Sequence, residues 1–230
     1  MGNHSGVSMQ LKNKEELLAF EEWCVETYKK GLLRSPIHLS GGNEEQLIEI
    51  FKVIRPTDWV ISTYRSHYHA LLKGIPEEWL KQWILENKSI HVMNKEHKFI
   101  TSAIVAGTIP TALGLAMGIQ RKQATEHVWV FIGDMTAHTG TFWEAINYAR
   151  NHALPITFII EDNKLSTDTR TEDVWEIYNQ YFFKEILQKE FSTEYLQHYE
   201  YTRTRPHYGC GVFIDFPEDK KELVQDGKNF

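Results

Sequence analysis

The residues best placed to do chemistry stand at the ends of two apolar runs. His127-Val-Trp-Val-Phe-Ile132 stops at Gly133-Asp134, and Ile156-Thr-Phe-Ile-Ile160 stops at Glu161-Asp162-Asn163. Both runs have the length and composition of strands covered on both faces. Between them Phe142, Ala145, Ile146 and Ala149 fall on one helical face, and Thr141-Phe-Trp-Glu144 has the pattern of a capping box. The spacing predicts a strand–helix–strand unit with parallel strands. Open parallel sheets bind ligands beyond the carboxyl ends of their strands. There Asp134 and Asn163 offer hard oxygen donors, the kind Mg²⁺ takes while sharing its shell with waters and phosphates. A helix amino end between them suits a diphosphate. The same Asp and Asn would also serve as plain loop caps, and spacing alone leaves both readings open.

Other elements must position this pair. Residues 14–30 form an expected helix with Leu17, Leu18, Phe20 and Val25 among acidic positions, and Glu44–Ile54 repeats the pattern. Pro56-Thr57-Asp58 is a turn and Trp59–Ser62 a short buried strand. Pro76 with Glu77 and Glu78 opens a helix running through Trp79, Leu80, Trp83 and Ile84. Ile100 to Ile119 carries no charge and is as long as a membrane span, but Thr101, Ser102, Thr108 and Thr111 interrupt it and Pro110 breaks it. A buried strand or loop followed by a closely packed helix is the better reading.

At 230 residues, one α/β domain covering 1–230 is expected. A hydrophobic content of 42% supports a substantial core, and a net charge of −6 with interspersed signs excludes a phosphate-tracking basic surface. Nucleic acid and membrane are therefore not expected partners. The two cysteines, Cys24 and Cys210, have no metal-type spacing and read as thiols of a reducing compartment. No signal pattern opens the chain, and Gly6 spoils the myristoylation motif begun by Met1-Gly2. A cytoplasmic location is the expectation.

The wider pattern resembles the alpha subunit of the thiamine-diphosphate-dependent decarboxylating component of 2-oxoacid dehydrogenase complexes. The resemblance runs from about Ile37 to His207. Gly133-Asp134-Met135, a spacer, and Asp162-Asn163 are similar to the family's Gly-Asp-Gly…Asn-Asn cofactor motif, with Gly140–Asn147 and Leu154–Glu161 matching its helix and strand. His38-Leu-Ser-Gly-Gly-Asn-Glu44, Tyr64-Arg65-Ser66-His67, Ala103–Pro110 and Arg203-Thr-Arg-Pro-His207 resemble further family segments in the same order. The implied fold is the doubly wound, mostly parallel thiamine-diphosphate-binding sheet with helices on both faces.

The resemblance also implies residue roles. Asp134, Asn163 and the Leu165 carbonyl would hold Mg²⁺. Tyr64, Arg65, Met135, Thr136 and His207 would meet the diphosphate end of the cofactor, and the backbone of Ala103 and Val105 its aminopyrimidine. His38, His67 and His207 become the candidate catalytic residues. The implied activity is cleavage of a 2-oxo acid with transfer of the acyl or aldehyde unit, beside a beta-subunit partner in an α₂β₂ assembly. Two other readings stand beside it: half of a split transketolase transferring a two-carbon ketol unit, and a non-catalytic interaction protein. Three departures from the family pattern are visible. Met135 replaces a glycine and would be strained if that position had positive φ. Asp162 replaces an asparagine and adds negative charge. The segment from Asn163 to Arg203 is short, with an aromatic helix expected from Trp175 to Phe183.

Overall fold

The computed structural model describes residues 11–175 and 188–209; Cys210 and most of the expected Trp175–Phe183 helix lie outside them. In chain order the elements are α1 (Lys14–Lys29), β1 (Ile37–His38), α2 (Glu44–Phe51), β2 (Trp59–Ser62), α3 (His67–Leu72), α4 (Glu77–Leu85), β3 (Met93–Asn94) and β4 (Phe99–Thr101). They continue with α5 (Thr108–Arg121), β5 (Val128–Gly133), α6 (Asp134–Ala137), α7 (Gly140–Asn151), β6 (Ile156–Asp162), β7 (Leu165–Ser166), β8 (Thr169–Arg170), α8 (Thr171–Val174), α9 (Gln188–Glu190), β9 (Leu196–Glu200) and β10 (His207–Tyr208).

The main sheet has the order β3-β4-β2-β5-β6-β9, parallel except for the β3 edge. Its apolar strands follow from burial on both faces. Phe131 and Ile159 belong to one core with α1 to α4, while Val128, Val130, Ile132, Phe158 and Ile160 belong to another with α5 and α7. Alternate residues of one strand thus enter opposite cores, so no position can be polar without cost. This is the doubly wound, mostly parallel α/β sheet expected from the sequence. The chain lays β4 on one side of β2 and β5 on the other, so the winding reverses at β2. A crevice must open there beyond the strand ends.

Local chemistry sets the helix starts. Asn13 and Glu16 close a reciprocal capping box at α1. For α7 the sequence expectation is corrected: Thr139, not Thr141, is the cap, and its hydroxyl accepts from the Phe142 amide at 3.3 Å. The helix therefore begins two residues earlier, and Glu144 is too far along to close a box. The second helix also stops at Phe51 rather than Ile54, although Ile54 stays buried. Pro110 does not break α5 but sits in its first turn, where a missing N–H leaves no bond unmade. Among the described residues no helix is long and apolar enough to cross a membrane.

Candidate functional site

Four parallel strands deliver their ends to one place. The turn after β2 brings Thr63, Tyr64 and Arg65; the turn after β4 brings Ser102, Ile104, Val105 and Ala106. Past β5 come Asp134, Met135 and Thr136, and past β6 come Asn163, Leu165 and Ser166. With Tyr201 beyond β9 they line a solvent-open cleft at the switch point of the winding. Tyr64, Arg65, Val105, Asp134, Met135, Thr136, Asn163 and Leu165 are thus brought to one cleft, although the Arg65 guanidinium itself turns to the Leu39 carbonyl and His207. Ala103 is not among the lining residues.

Asp134 is fully buried, and its Oδ2 accepts a short hydrogen bond from the Thr171 hydroxyl. Its Oδ1 has no hydrogen-bond partner among the described residues. Burial pushes this carboxyl up to about 6 and the nearby Asp162 charge adds to that, while the Thr171 bond and the amides of Asp134 and Met135 oppose it. A buried, unsatisfied carboxylate oxygen is costly unless a cation answers it. Asn163 Oδ1 accepts from the Leu165 amide at 3.0 Å, which leaves one lone pair, while its amide nitrogen donates to Tyr201 at 3.1 Å. A carboxylate, a carboxamide and a main-chain carbonyl form an all-oxygen donor set, suited to Mg²⁺ rather than to a soft metal. These residues fit the ion.

Both departures in the motif have structural answers. Met135 lies in the helical turn α6 and is not among the residues with positive φ, so its Cβ meets no backbone penalty. Its sulfur accepts from the Trp175 indole at 3.2 Å, and Trp175 stacks on His138. Asp162 does not line the cleft. Its Oδ1 takes the Lys164 amide at 3.0 Å and its Oδ2 faces His198 Nε2 at 3.2 Å, so both oxygens have partners outside the cleft lining, while its charge still acts on Asp134.

The histidines fall differently. His38 and His207 are paired across the short β1–β10 ladder, their Nδ1 atoms 2.5 Å apart, and Arg65 lies 3.0 Å from His207 Nε2. Both rings sit behind the cleft wall, His38 tilted against the Tyr64 ring with centroids 4.4 Å apart. Burial, and then the Arg65 charge, pull His38 down to about 3 and His207 to about 2. His67 is not brought to the cleft. It opens α3 pointing inward, with Nε2 2.9 Å from the Ser89 hydroxyl and its ring against Phe20. Arg203 and Arg205 are not plain solvated charges. Arg203 donates to the Thr167 carbonyl at 2.8 Å at the tip of the β7–β8 hairpin, and Arg205 pairs with Glu22.

Sequence reasoning missed Thr171, Glu161 and Tyr201. Glu161 lines the cleft while accepting from His69 at 3.1 Å, from Asn43 at 3.3 Å and from Tyr199 through a short bond. Period two places Glu161 on the opposite face from Asp162, and that signal was available. Nothing local marked Thr171 or Tyr201.

The sequence profile of the "Dehydrogenase E1 component" family matches residues 13–181. The pyruvate dehydrogenase E1 component subunit alpha of Porphyra purpurea is 33% identical over 162 residues, covering 63% of this chain and 47% of that protein. The chloroplastic subunit alpha-3 of Arabidopsis thaliana is 32% identical, covering 63% of this chain and 38% of that one. The alpha subunit of Rickettsia conorii is 30% identical, covering 66% and 50%. The chain spans half or less of the length of these relatives. With the profile covering most of the sequence and the motif residues gathered at the switch point, the chain belongs to the dehydrogenase E1 component family.

Proposed function

We propose that the cleft holds thiamine diphosphate with Mg²⁺, and that the chain acts as an alpha subunit cleaving a 2-oxo acid together with a beta-type partner. The carrying observation is the unanswered Asp134 Oδ1, buried at the switch point beside Asn163 and Leu165. Asp134, Asn163 and the Leu165 carbonyl would hold the ion, and Met135, Thr136 and Tyr64, which line the same cleft, would meet the diphosphate end. When bound, the cofactor supplies a carbon nucleophile that adds to a ketone and then stabilises the negative charge left by C–C cleavage. This chain's task is to fix the diphosphate and exclude water; Ile104 and Val105 at the mouth supply apolar surface for the second part.

The relatives are named as subunits of a pyruvate dehydrogenase component, which supports a 2-oxo acid substrate and a partner chain. A partner is also supported by exposed apolar surface: Ile104 and Val105 are 70% and 49% exposed. On α5, Gly114 and Gly118 have no neighbour within 4 Å of an added Cβ, a surface suited to close packing of another chain. Calorimetric titration with thiamine diphosphate, with Mg²⁺ and then with a chelator, tests the reading. Binding that vanishes with the metal is expected; no heat in either condition, with the partner chain supplied, would refute it.

A further inference from the structure

Behind the cleft wall runs a chain of hydrogen bonds whose donors and acceptors cannot be assigned at will. The guanidinium of Arg65 donates from Nη1 to the Leu39 carbonyl at 2.8 Å and faces His207 Nε2 from Nη2 at 3.0 Å. A guanidinium has no acceptor, so His207 Nε2 must offer its lone pair. The His207 proton then sits on Nδ1, 2.5 Å from His38 Nδ1. Only one proton fits between two ring nitrogens. His38 must therefore accept at Nδ1, and its own proton moves to Nε2.

We propose that Arg65 is a positioning residue that fixes the tautomers of this buried pair, His207 as Nδ1–H and His38 as Nε2–H. The geometry around Arg65 supports the assignment. The peptide joining Leu39 to Ser40 is held at both ends, its carbonyl by Arg65 and its N–H by Glu21 Oε1 at 2.5 Å. The β1–β10 register places His38 opposite His207, so the same ladder aligns the rings. The groups facing the pair include Arg65, Arg203, His67, the ring of Tyr64 and the Thr167 carbonyl. The cations and burial keep both rings neutral, so each carries one N–H. Thr167 is the competing acceptor, the weakest of these influences on His207.

The chemical consequence is that His38 offers a donor, not a base, at Nε2, and that His207 has no Nε2 proton to give a phosphate. For catalysis this matters only if the cleft takes the cofactor as proposed above. The tautomers themselves are read without cofactor or partner, so failure of one reading is separable from failure of the other.

The test is ¹⁵N imidazole correlation spectroscopy on the labelled chain at neutral pH, with H38Q and H207Q assigning the rings. One ring with pyrrole-type Nδ1 and one with pyrrole-type Nε2, assigned to His207 and His38 respectively, is expected. The reverse assignment, or an imidazolium in either ring at neutral pH, overturns the proposal. In Arg65→Met the constraint is removed, and a shift of the His207 proton toward Nε2 is expected; an unchanged tautomer pair there also overturns it. Should Arg65→Met fail to fold, the measurement on the native chain decides alone.

Discussion

Glu21 is buried between Ser40 and Tyr68, accepting from the Ser40 amide and, at 2.9 Å, from the Tyr68 hydroxyl. Burial pushes its carboxyl from 4.5 up to about 7, against the pull of those two bonds and of Arg65 and Arg205. Between these values the unfolded chain has lost the proton while the folded one still holds it. Stability from this group is therefore highest below 4.5, falls as pH rises through the window, and levels off above about 7. At about 1.4 kcal/mol for each pH unit, the loss is about 3 kcal/mol. Glu21→Gln keeps an acceptor for Ser40 and removes the charge. It should unfold at higher urea than the native protein at pH 8, by up to about 3 kcal/mol, and at the same urea at pH 4.5. Urea midpoints of the two proteins across pH 4.5–8 make the measurement. Parallel curves, or a less stable Glu21→Gln protein at pH 8, would refute the assignment of burial as the governing cause.

Three further outcomes are expected. Gly42→Ala should destabilise strongly, because φ is +101° and an added Cβ would lie 2.2 Å from the Thr202 carbonyl oxygen; thermal unfolding checks it, and a melting temperature within error of native would contradict it. Gly118→Ala should raise the stability of the isolated chain by about 1 kcal/mol, since the site is helical and open, yet weaken association with the proposed partner, as sedimentation would show. Thr171→Val removes the donor to Asp134 Oδ2 and should weaken Mg²⁺-dependent binding about 10- to 100-fold, the cost of losing a residue that orients a ligand.

The legible parts of this protein are those written in local pattern. β2, β5, β6 and the first helix followed from apolar runs and from one amphipathic stripe. Asp134 and Asn163 followed from standing where those runs stop. What escaped was made by long-range pairing. The ladder joining His38 to His207 is two residues long on each strand, too short for any periodicity, and it puts both rings behind the cleft rather than in it. Thr171 reaches Asp134 from another part of the chain, with nothing nearby to announce it. His67 read as a site residue from the Tyr64-Arg65-Ser66-His67 segment, but α3 is buried along its whole length and its ring turns inward to Ser89. The motif departures were misleading for a related reason. Residue type suggested strain at Met135, which the helical backbone of α6 removes, and repulsion at Asp162, which persists as its effect on Asp134 although Asp162 itself is hydrogen-bonded outside the cleft lining.

The most direct test of the central claim compares the native chain with Asp134→Ala in calorimetric titrations of thiamine diphosphate at saturating Mg²⁺, with thermal unfolding run in parallel. Losing a residue that merely orients a ligand already costs about 10- to 100-fold, so loss of the ligand itself should cost more than about 100-fold. The protein should remain folded, because loss of the buried carboxylate with its unpartnered Oδ1 offsets the cost, about 1–3 kcal/mol, of leaving the buried Thr171 hydroxyl without its acceptor. Native-like affinity in a folded Asp134→Ala protein would contradict the assignment of this cleft.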